Sequence, residues 1–204
     1  MDQVPRAPTG SLGLQVIEKN GPRGCDAQAL KAILNNTAGV NAITVAQSQQ
    51  LCIAAFDPGS SSGAVAFYFP FHPGQISAED LPVVAGQVDP ATLAARLKQM
   101  RPDVAIIERV AAMPRQGVSS TFKFGTAYGI LQGVVATLDI PVHFVAPGRW
   151  KKHFGLTADK EQSRARALQL WPARSDLFAR KKDHGRAESA LLARYFAETR
   201  EARS

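Results

Sequence analysis

The sequence predicts an α/β fold in which helices flank a five-stranded mixed sheet. Three short apolar runs come first, at residues 51–57, 64–69 and 83–88, and the short turns between them favour an antiparallel meander. Strand patterns then alternate with helix patterns, which is typical of strands joined by right-handed crossovers. A meander followed by crossovers predicts one mixed sheet with helices packed on it.

The first strand, residues 51–57, places Ile53, Ala55 and Asp57 on one face by period-two alternation. Pro58 and Gly59 end it. A turn of small residues leads into the second strand at 64–69, and the third strand is predicted at 83–88.

The next segment predicts a helix with Asp89 as its N-cap and Pro90 at its first position. A strand follows that ends at Glu108, which shares a face with Val104 and Ile106. Further helices are predicted at 120–138, 159–170 and 184–199, a strand at 142–145, and a basic segment at 149–152.

Length and composition indicate one domain. The 204 residues and 45% hydrophobic content suit a single globular core. Residues 1–50 are rich in Pro, Gly and polar side chains, so we expect an N-terminal extension, disordered or loosely attached, before a domain at 51–200. No candidate acid precedes Asp57.

The net charge of +7 favours an anionic partner such as nucleic acid, although charge alone also fits a ribosomal or membrane-surface protein. Cys25 and Cys52 form neither a zinc pattern nor a disulfide framework, which indicates a reducing compartment. The sequence lacks a signal-peptide pattern and any apolar run of about 20 residues. We therefore expect a cytoplasmic protein.

The predicted element order is that of the RNase H-like fold, in which the first and fourth strands are neighbours. Their ends would bring Asp57 and Glu108 together. The alternative is that both acids are solvent-facing strand ends. Asp183 and Glu188 lie at the start of the last helix and would complete a carboxylate cluster.

Such a cluster suits Mg²⁺, which prefers oxygen ligands, with Mn²⁺ as a substitute. Two ions per site can activate water and stabilise the leaving oxygen of a phosphodiester. Alternatives remain at the helix start, where Asp183 could simply cap the helix and Glu188 could pair with Arg186 or Lys182. His184 is a candidate ligand, a proton carrier or a surface histidine.

Several blocks resemble a known family. FDPGSSSGAVAF and IIERV are similar to the first and fourth strands of RuvC-type Holliday-junction resolvases. MPRQGVSSTFKFGTAYGILQGV, VAPGRWKKHFGL, DKEQSRARALQLWP and KKDHGRAESALL are most similar to the plastid-type and the phage and bacterial RuvC-like nucleases. The resemblance covers about residues 51–196.

This resemblance implies a metal-dependent endonuclease that cuts four-way DNA junctions as a homodimer. It implies that Asp57, Glu108, Asp183 and Glu188 bind metal and that Lys160 lies near the scissile phosphate. Bacterial RuvC has its last two acids three residues apart, whereas Gly185 stands at that place here, so Asp183 or His184 must substitute. The alternatives are a nuclease for other branched DNA or RNA-containing duplexes, and a non-catalytic branched-DNA-binding protein.

The predicted DNA contacts are basic or lie in the loop after Glu108. They are Arg115, Gln116, Lys123, Arg149, Lys151, Lys152, Arg164, Arg180, Lys181 and Lys182. The alternative is an ordinary solvated surface. Of Phe122 and Phe124, we expect one in the core and one in an interface.

A four-way junction is nearly two-fold symmetric, so paired cuts require a two-fold dimer. Gly125, Gly129 and Gly133 recur every four residues and would leave one helix face smooth enough for close helix packing. The alternative is that these glycines let the helix pack on its own sheet.

Overall fold

The computed structural model describes residues 51–59, 63–111 and 117–201. The predicted N-terminal extension, residues 1–50, and the predicted DNA contacts Arg115 and Gln116 lie outside these residues. Within the described ranges, no helix has both the length and the apolar character needed to cross a membrane.

The described residues contain seven strands in two sheets. The strands are β1 (Ile53–Asp57), β2 (Ala64–Tyr68), β3 (Ile76–Asp80), β4 (Val83–Val84), β5 (Gln87–Val88), β6 (Val104–Glu108) and β7 (Val142–Val145). The main sheet has five strands in the order β3-β2-β1-β6-β7. β1 is antiparallel to β2 and parallel to β6, so the sheet is mixed, as predicted.

The third strand of the sheet is β3, and the prediction of this strand at 83–88 was wrong. Its sequence, ISAED, alternates buried and partly buried residues, but after Ile76 it has none of the β-branched or aromatic residues that favour strands. Residues 83–88 instead form the small β4–β5 hairpin. Ala85 and Gly86 both have positive φ there, at 51° and 77°, which folds the valine-rich run back on itself.

Five α-helices occur among the described residues. They are α1 (Pro90–Met100), α2 (Val118–Thr137), α3 (Pro147–His153), α4 (Lys160–Leu170) and α5 (His184–Glu201). The side chain of Asp89 caps α1 by accepting hydrogen bonds from the backbone N–H groups of Ala91 and Thr92, as predicted. The basic segment predicted at 149–152 is the body of α3.

The hydrophobic core has two parts, one on each face of the sheet, and β1 is buried in both. Ile53 and Ala55 pack with Trp171 and Leu191 on the face covered by α3, α4 and α5. Ala54 and Phe56, the alternate residues, pack with helix residues such as Leu93 and Leu131 on the face covered by α1 and α2. A strand buried on both faces is typical of the centre of an α/β sheet.

Register places the two strand-end acids side by side. In the parallel β1–β6 pair, Ala55 is opposite Ile106 and Phe56 is opposite Ile107, so Asp57 and Glu108 come next. Both acids continue the face formed by Ile53, Ala55 and Ile106, which is the α5 face of the sheet. α5 packs across β1, β2 and β3 on that face.

Candidate active site

Asp57 ends β1 at a tight turn. The backbone N–H of Gly59 donates to the Asp57 carbonyl oxygen at 3.1 Å. A Cβ at Gly63 would lie 2.6 Å from the Gly59 nitrogen and 2.8 Å from the Asp57 carbonyl oxygen, so only glycine fits at that position. This close approach holds the end of β1, and with it the half-buried Asp57 carboxylate, in place.

Glu108 is held by a tryptophan from α3. Trp150 is fully buried, and its Nε1–H donates to Glu108 Oε1 at 2.8 Å. An indole N–H needs a partner when it is buried, and Glu108 supplies the acceptor. The tryptophan fixes the direction in which the carboxylate of β6 points.

Glu188 is the buried acid of α5, and its side chain is 10% exposed. Lys151 Nζ donates to its Oε1 at 3.0 Å, and the Ser163 hydroxyl donates to the same oxygen at 3.3 Å. The carboxylate is therefore bound from α3 and from α4 at once.

The three acids act on one another electrostatically. Burial raises the pKa of Asp57 well above its usual range, and the charges of Glu188 and Glu108 raise it further, against the lowering effect of Lys160 and Lys151. Burial also raises the pKa of Glu108, and Glu188 adds to this effect, while the Trp150 hydrogen bond and Lys151 oppose it. The fold thus brings Asp57, Glu108 and Glu188 into one cluster with more negative charge than its surroundings easily stabilise.

His184 stands at the first position of α5 and contacts Lys160, the first residue of α4, with 3.1 Å between Nε2 and Nζ. A lysine ammonium can only donate, so Nε2 accepts in this contact. Lys160 also lowers the pKa of Asp57 by its charge. His184 is therefore linked to the acid cluster through Lys160.

Asp183 points elsewhere, although it is only one residue away. Its carboxylate is 1% exposed and accepts hydrogen bonds from the backbone N–H of Arg180 at 2.8 Å and from Arg180 Nη2 at 2.8 Å. Arg186 Nη1 lies 4.0 Å away. Burial raises the pKa of Asp183, but its hydrogen bonds with Arg180 and the nearby arginine charges outweigh burial and hold that pKa below its usual range.

Arg186 extends this second cluster to the sheet. Its guanidinium makes a bidentate pair with Asp80 at the end of β3, with distances of 2.8 and 2.7 Å. Asp183 therefore belongs to an arginine–aspartate group that ties the start of α5 to β3. Its role as a metal ligand, like that of His184, stays a prediction.

The donor chemistry of the acid cluster fits a hard divalent cation such as Mg²⁺. Asp57, Glu108 and Glu188 offer carboxylate oxygens. Burial raises the pKa of Asp57 and Glu108, and a cation bound to these oxygens would favour their ionised forms. Across residues 51–59, 63–111 and 117–201, however, no group of three or more His, Cys, Asp or Glu side chains is arranged to hold a metal ion. In the structure, the positive charges of Lys151 and Lys160 partly offset the negative charge of these acids.

The predicted DNA contacts fall into two sets. Lys123, Arg149, Lys152, Lys181 and Lys182 are exposed. Lys151 binds Glu188, Arg180 binds Asp183, and Arg164 bonds to Glu161 and to the carbonyl oxygens of Phe178 and Ala179. The second set therefore has internal partners.

Sequence reasoning missed Trp150 and Ser163, both of which contact the acids. Trp150 lies between Arg149 and Lys151, in a segment interpreted for its charge alone. A single large aromatic residue inside a basic run was the available signal, because such a residue is usually buried. Ser163 carries no comparable signal.

No protein-family model matches the chain, and no curated protein sequence matches it significantly. Solved structures do match its fold. The Thermus thermophilus RuvC structure in complex with a Holliday junction substrate aligns with a TM-score of 0.59 and 17% identity, covering 74% of this chain and 96% of RuvC. A second Thermus thermophilus RuvC structure aligns with a TM-score of 0.54 and 17% identity, covering 73% and 96%.

The chain is thus an α/β protein with the RNase H-like fold. Within that class it has the fold of the Holliday-junction resolvase RuvC, over nearly the whole length of that enzyme. The resemblance expected from the sequence motifs is confirmed at the level of the fold.

Proposed function

We propose that this protein is a metal-dependent, structure-specific DNA endonuclease that resolves Holliday junctions. The observation that carries the proposal is the meeting of Asp57, Glu108 and Glu188 at one end of a RuvC-like sheet. Carboxylates from two parallel strand ends and one helix meet where a phosphodiester can approach from solvent. RuvC of the same fold has been solved with a Holliday junction substrate, which supports branched DNA as the ligand.

Asp57, Glu108 and Glu188 would hold Mg²⁺, or Mn²⁺ in its place, with two ions per site. Bound there, the ions would supply an activated water and stabilise charge on the leaving oxygen. Trp150 keeps Glu108 directed into the cluster through its 2.8 Å hydrogen bond. His184, whose Nε2 lies 3.1 Å from Lys160 Nζ, would take part in metal binding or in proton transfer.

The exposed cations supply the phosphate-binding surface in this proposal. Arg149 and Lys152 lie on α3, the helix that also contacts Glu108 and Glu188. Lys181 and Lys182 lie in a short 3-10 helix, Lys181–Asp183, that leads into α5. These groups contact the backbone of DNA and position it without reading its sequence.

The active form is proposed to be a homodimer that pairs through α2. Phe122 is 72% exposed and Val118 is 87% exposed on this helix, while Phe124 is half-buried. Outside the neighbouring backbone of α2 itself, no described atom lies within 4 Å of a Cβ added at Gly125, Gly129 or Gly133, so these glycines do not pack on the sheet. Tyr128 contacts the ring of Phe144 on β7, where Val142 is also exposed, which extends the apolar surface to the sheet edge.

Cleavage of a synthetic four-way junction in Mg²⁺ tests the function, with a flap, a fork, an RNA–DNA duplex and a linear duplex as comparisons. We expect paired cuts in the four-way junction and little cleavage of linear DNA. Asp57→Asn should cut at less than about a tenth of the normal rate while binding the junction with similar affinity, because it removes a metal ligand and not a phosphate contact.

The other outcomes assign other functions. Preferential cutting of a flap or an RNA-containing duplex would make the protein an RNase H-like nuclease of different substrate class. Tight junction binding without cleavage in Mg²⁺ or Mn²⁺ would make it a branched-DNA-binding protein.

A further inference from the structure

Lys151 has an unusual position for a lysine in a basic segment. Its side chain is only 19% exposed, and its ammonium lies 3.0 Å from the buried Glu188 Oε1. It also stands 5.1 Å from the ring centroid of Trp150, which holds Glu108. Lys152, the next residue of the same helix, is exposed.

The position of Lys151 brings one positive charge to three acids. It pairs directly with Glu188, and its charge also stabilises the ionised forms of Asp57 and Glu108. A buried carboxylate without a counter-charge is strongly destabilising. Glu188, the most buried of the three, is therefore stabilised by the Lys151 ammonium when no metal is bound.

A lysine ammonium and a divalent cation weaken each other's binding to the same carboxylates. The negative charge that neutralises the ammonium is the charge that would attract Mg²⁺, and two cations placed close together repel each other. Lysine suits an exchangeable role because it is a compact charge on a flexible stem.

We propose that the Lys151 ammonium is the counter-ion of Asp57, Glu108 and Glu188 in the metal-free protein, and that it competes with divalent metal for these carboxylates. This inference rests on the proposed metal-dependent function. In the metal-free protein, Lys151 holds Glu188 in place and offsets the repulsion among the acids. Metal entry weakens the contact between Lys151 and Glu188. The DNA-free protein consequently takes up metal more weakly than its carboxylates alone would allow.

Lys151→Met tests this proposal, since methionine keeps much of the length of lysine and removes the charge. Lys152→Met is the matched control one residue away. Calorimetric titration of the DNA-free proteins with MgCl₂ or MnCl₂ should show about five- to tenfold tighter metal binding by Lys151→Met than by the unaltered protein. Thermal melting in EDTA should show a lower Tm for Lys151→Met, with metal restoring more of it than in the unaltered protein. Lys152→Met should match the unaltered protein in both assays.

Equal or weaker metal binding by Lys151→Met would overturn the counter-cation role while leaving the proposed nuclease intact. A lack of divalent-metal binding by the unaltered protein, together with a lack of junction cleavage, would instead remove the metal-dependent function and this inference with it.

Should Lys151→Met fail to fold, lysine acylation followed by mass spectrometry answers the same question on the unaltered protein. Lys151 should be protected in EDTA and become more reactive as Mg²⁺ is added, while Lys152 reacts equally in both conditions. Equal reactivity of Lys151 with and without metal would contradict the proposal that metal displaces Lys151 from Glu188.

Discussion

Asp57 and Glu108 are acids whose charged forms the fold disfavours. Burial raises the pKa of both, and the neighbouring acids add repulsion. A carboxyl group with a raised pKa in the folded state stabilises the fold below its unfolded pKa, and that contribution is lost as pH rises through the folded value. At neutral pH the metal-free protein therefore keeps these acids at a cost in stability, as functional sites commonly do.

Asp57→Asn should consequently stabilise the metal-free protein at pH 7–8. We expect a gain of about 1 kcal/mol, or roughly 2–4 °C in Tm, measured by circular dichroism in EDTA. The gain should vanish near pH 3, where Asp57 is already neutral. Asp176→Asn, which changes a largely exposed acid paired with Arg174, is the control and should change Tm little. A Tm of Asp57→Asn below that of the unaltered protein throughout this pH range would show that the charged Asp57 does not destabilise the metal-free fold.

The neighbouring residues Asp183 and His184 should respond differently to substitution. We expect His184→Ala to reduce junction cleavage more than Asp183→Asn, because His184 is linked to the acid cluster and Asp183 is bound by Arg180. Asp183→Asn should mainly cost stability, about 1–3 kcal/mol, since the buried side chain at this position loses the charge that strengthens its hydrogen bonds with Arg180. Cleavage rates and urea unfolding, measured side by side, separate the two effects.

The pH dependence of the Asp183 effect has a definite sign. Because the pKa of Asp183 is lowered in the folded state, its stabilisation is present above the usual aspartate pKa and is lost as pH falls through the lowered value. The difference in stability between the unaltered protein and Asp183→Asn should therefore shrink in acid. A folded but inactive Asp183→Asn beside an active His184→Ala would return the ligand role to Asp183.

Among the elements, α3 has two distinct faces. Trp150 and Lys151 point inward and hold acids that belong to β6 and α5, whereas Arg149 and Lys152 are exposed. His153, at the end of the helix, contacts Glu198 of α5 with 2.6 Å between Nε2 and Oε2. The helix thus joins the acid cluster to the basic surface.

This division predicts unequal contributions of adjacent lysines to DNA binding. Lys152→Ala should make the log-log salt dependence of junction binding shallower by about one unit, because one phosphate contact is lost. Lys151→Ala should leave the slope nearly unchanged. Fluorescence anisotropy with a labelled junction at several NaCl concentrations, without divalent metal, gives both slopes. A slope reduced equally by Lys151→Ala would show that this lysine moves from Glu188 to phosphate.

For the whole molecule, the exposed apolar surface of α2 and β7 favours a two-fold dimer. Phe122→Asp should convert the proposed dimer to a monomer in sedimentation velocity and abolish paired cutting of a four-way junction, because burying a charge in the interface is costly. Phe71→Asp, at a residue that is 52% exposed outside α2 and β7, is the control and should leave the dimer intact. An unchanged mass for Phe122→Asp would place the interface elsewhere.

Local patterns predicted most of the elements because they depend on neighbouring residues. Alternation put Asp57 and Glu108 on the faces where the structure has them, and Asp89 and Pro90 marked the start of α1. The sequence pattern did not predict β3 because Ser, Ala, Glu and Asp have weak strand preference. In the structure, the antiparallel pairing of β3 with β2 stabilises this strand.

The sequence by itself determined the fold class, most of the element order and the two acids that end parallel strands, since period-two alternation and turn residues are local properties. It did not locate β3 or predict the β4–β5 hairpin and the helix α3. Only the tertiary structure decided which side chains complete the site. Trp150 meets Glu108 across 42 residues and Lys151 meets Glu188 across 37, and these contacts depend on how α3 and α5 dock on the sheet. The same docking turns Asp183 toward Arg180 and His184 toward Lys160. Adjacent residues acquire different surroundings because helix rotation, which side-chain packing sets, directs successive side chains to different sides.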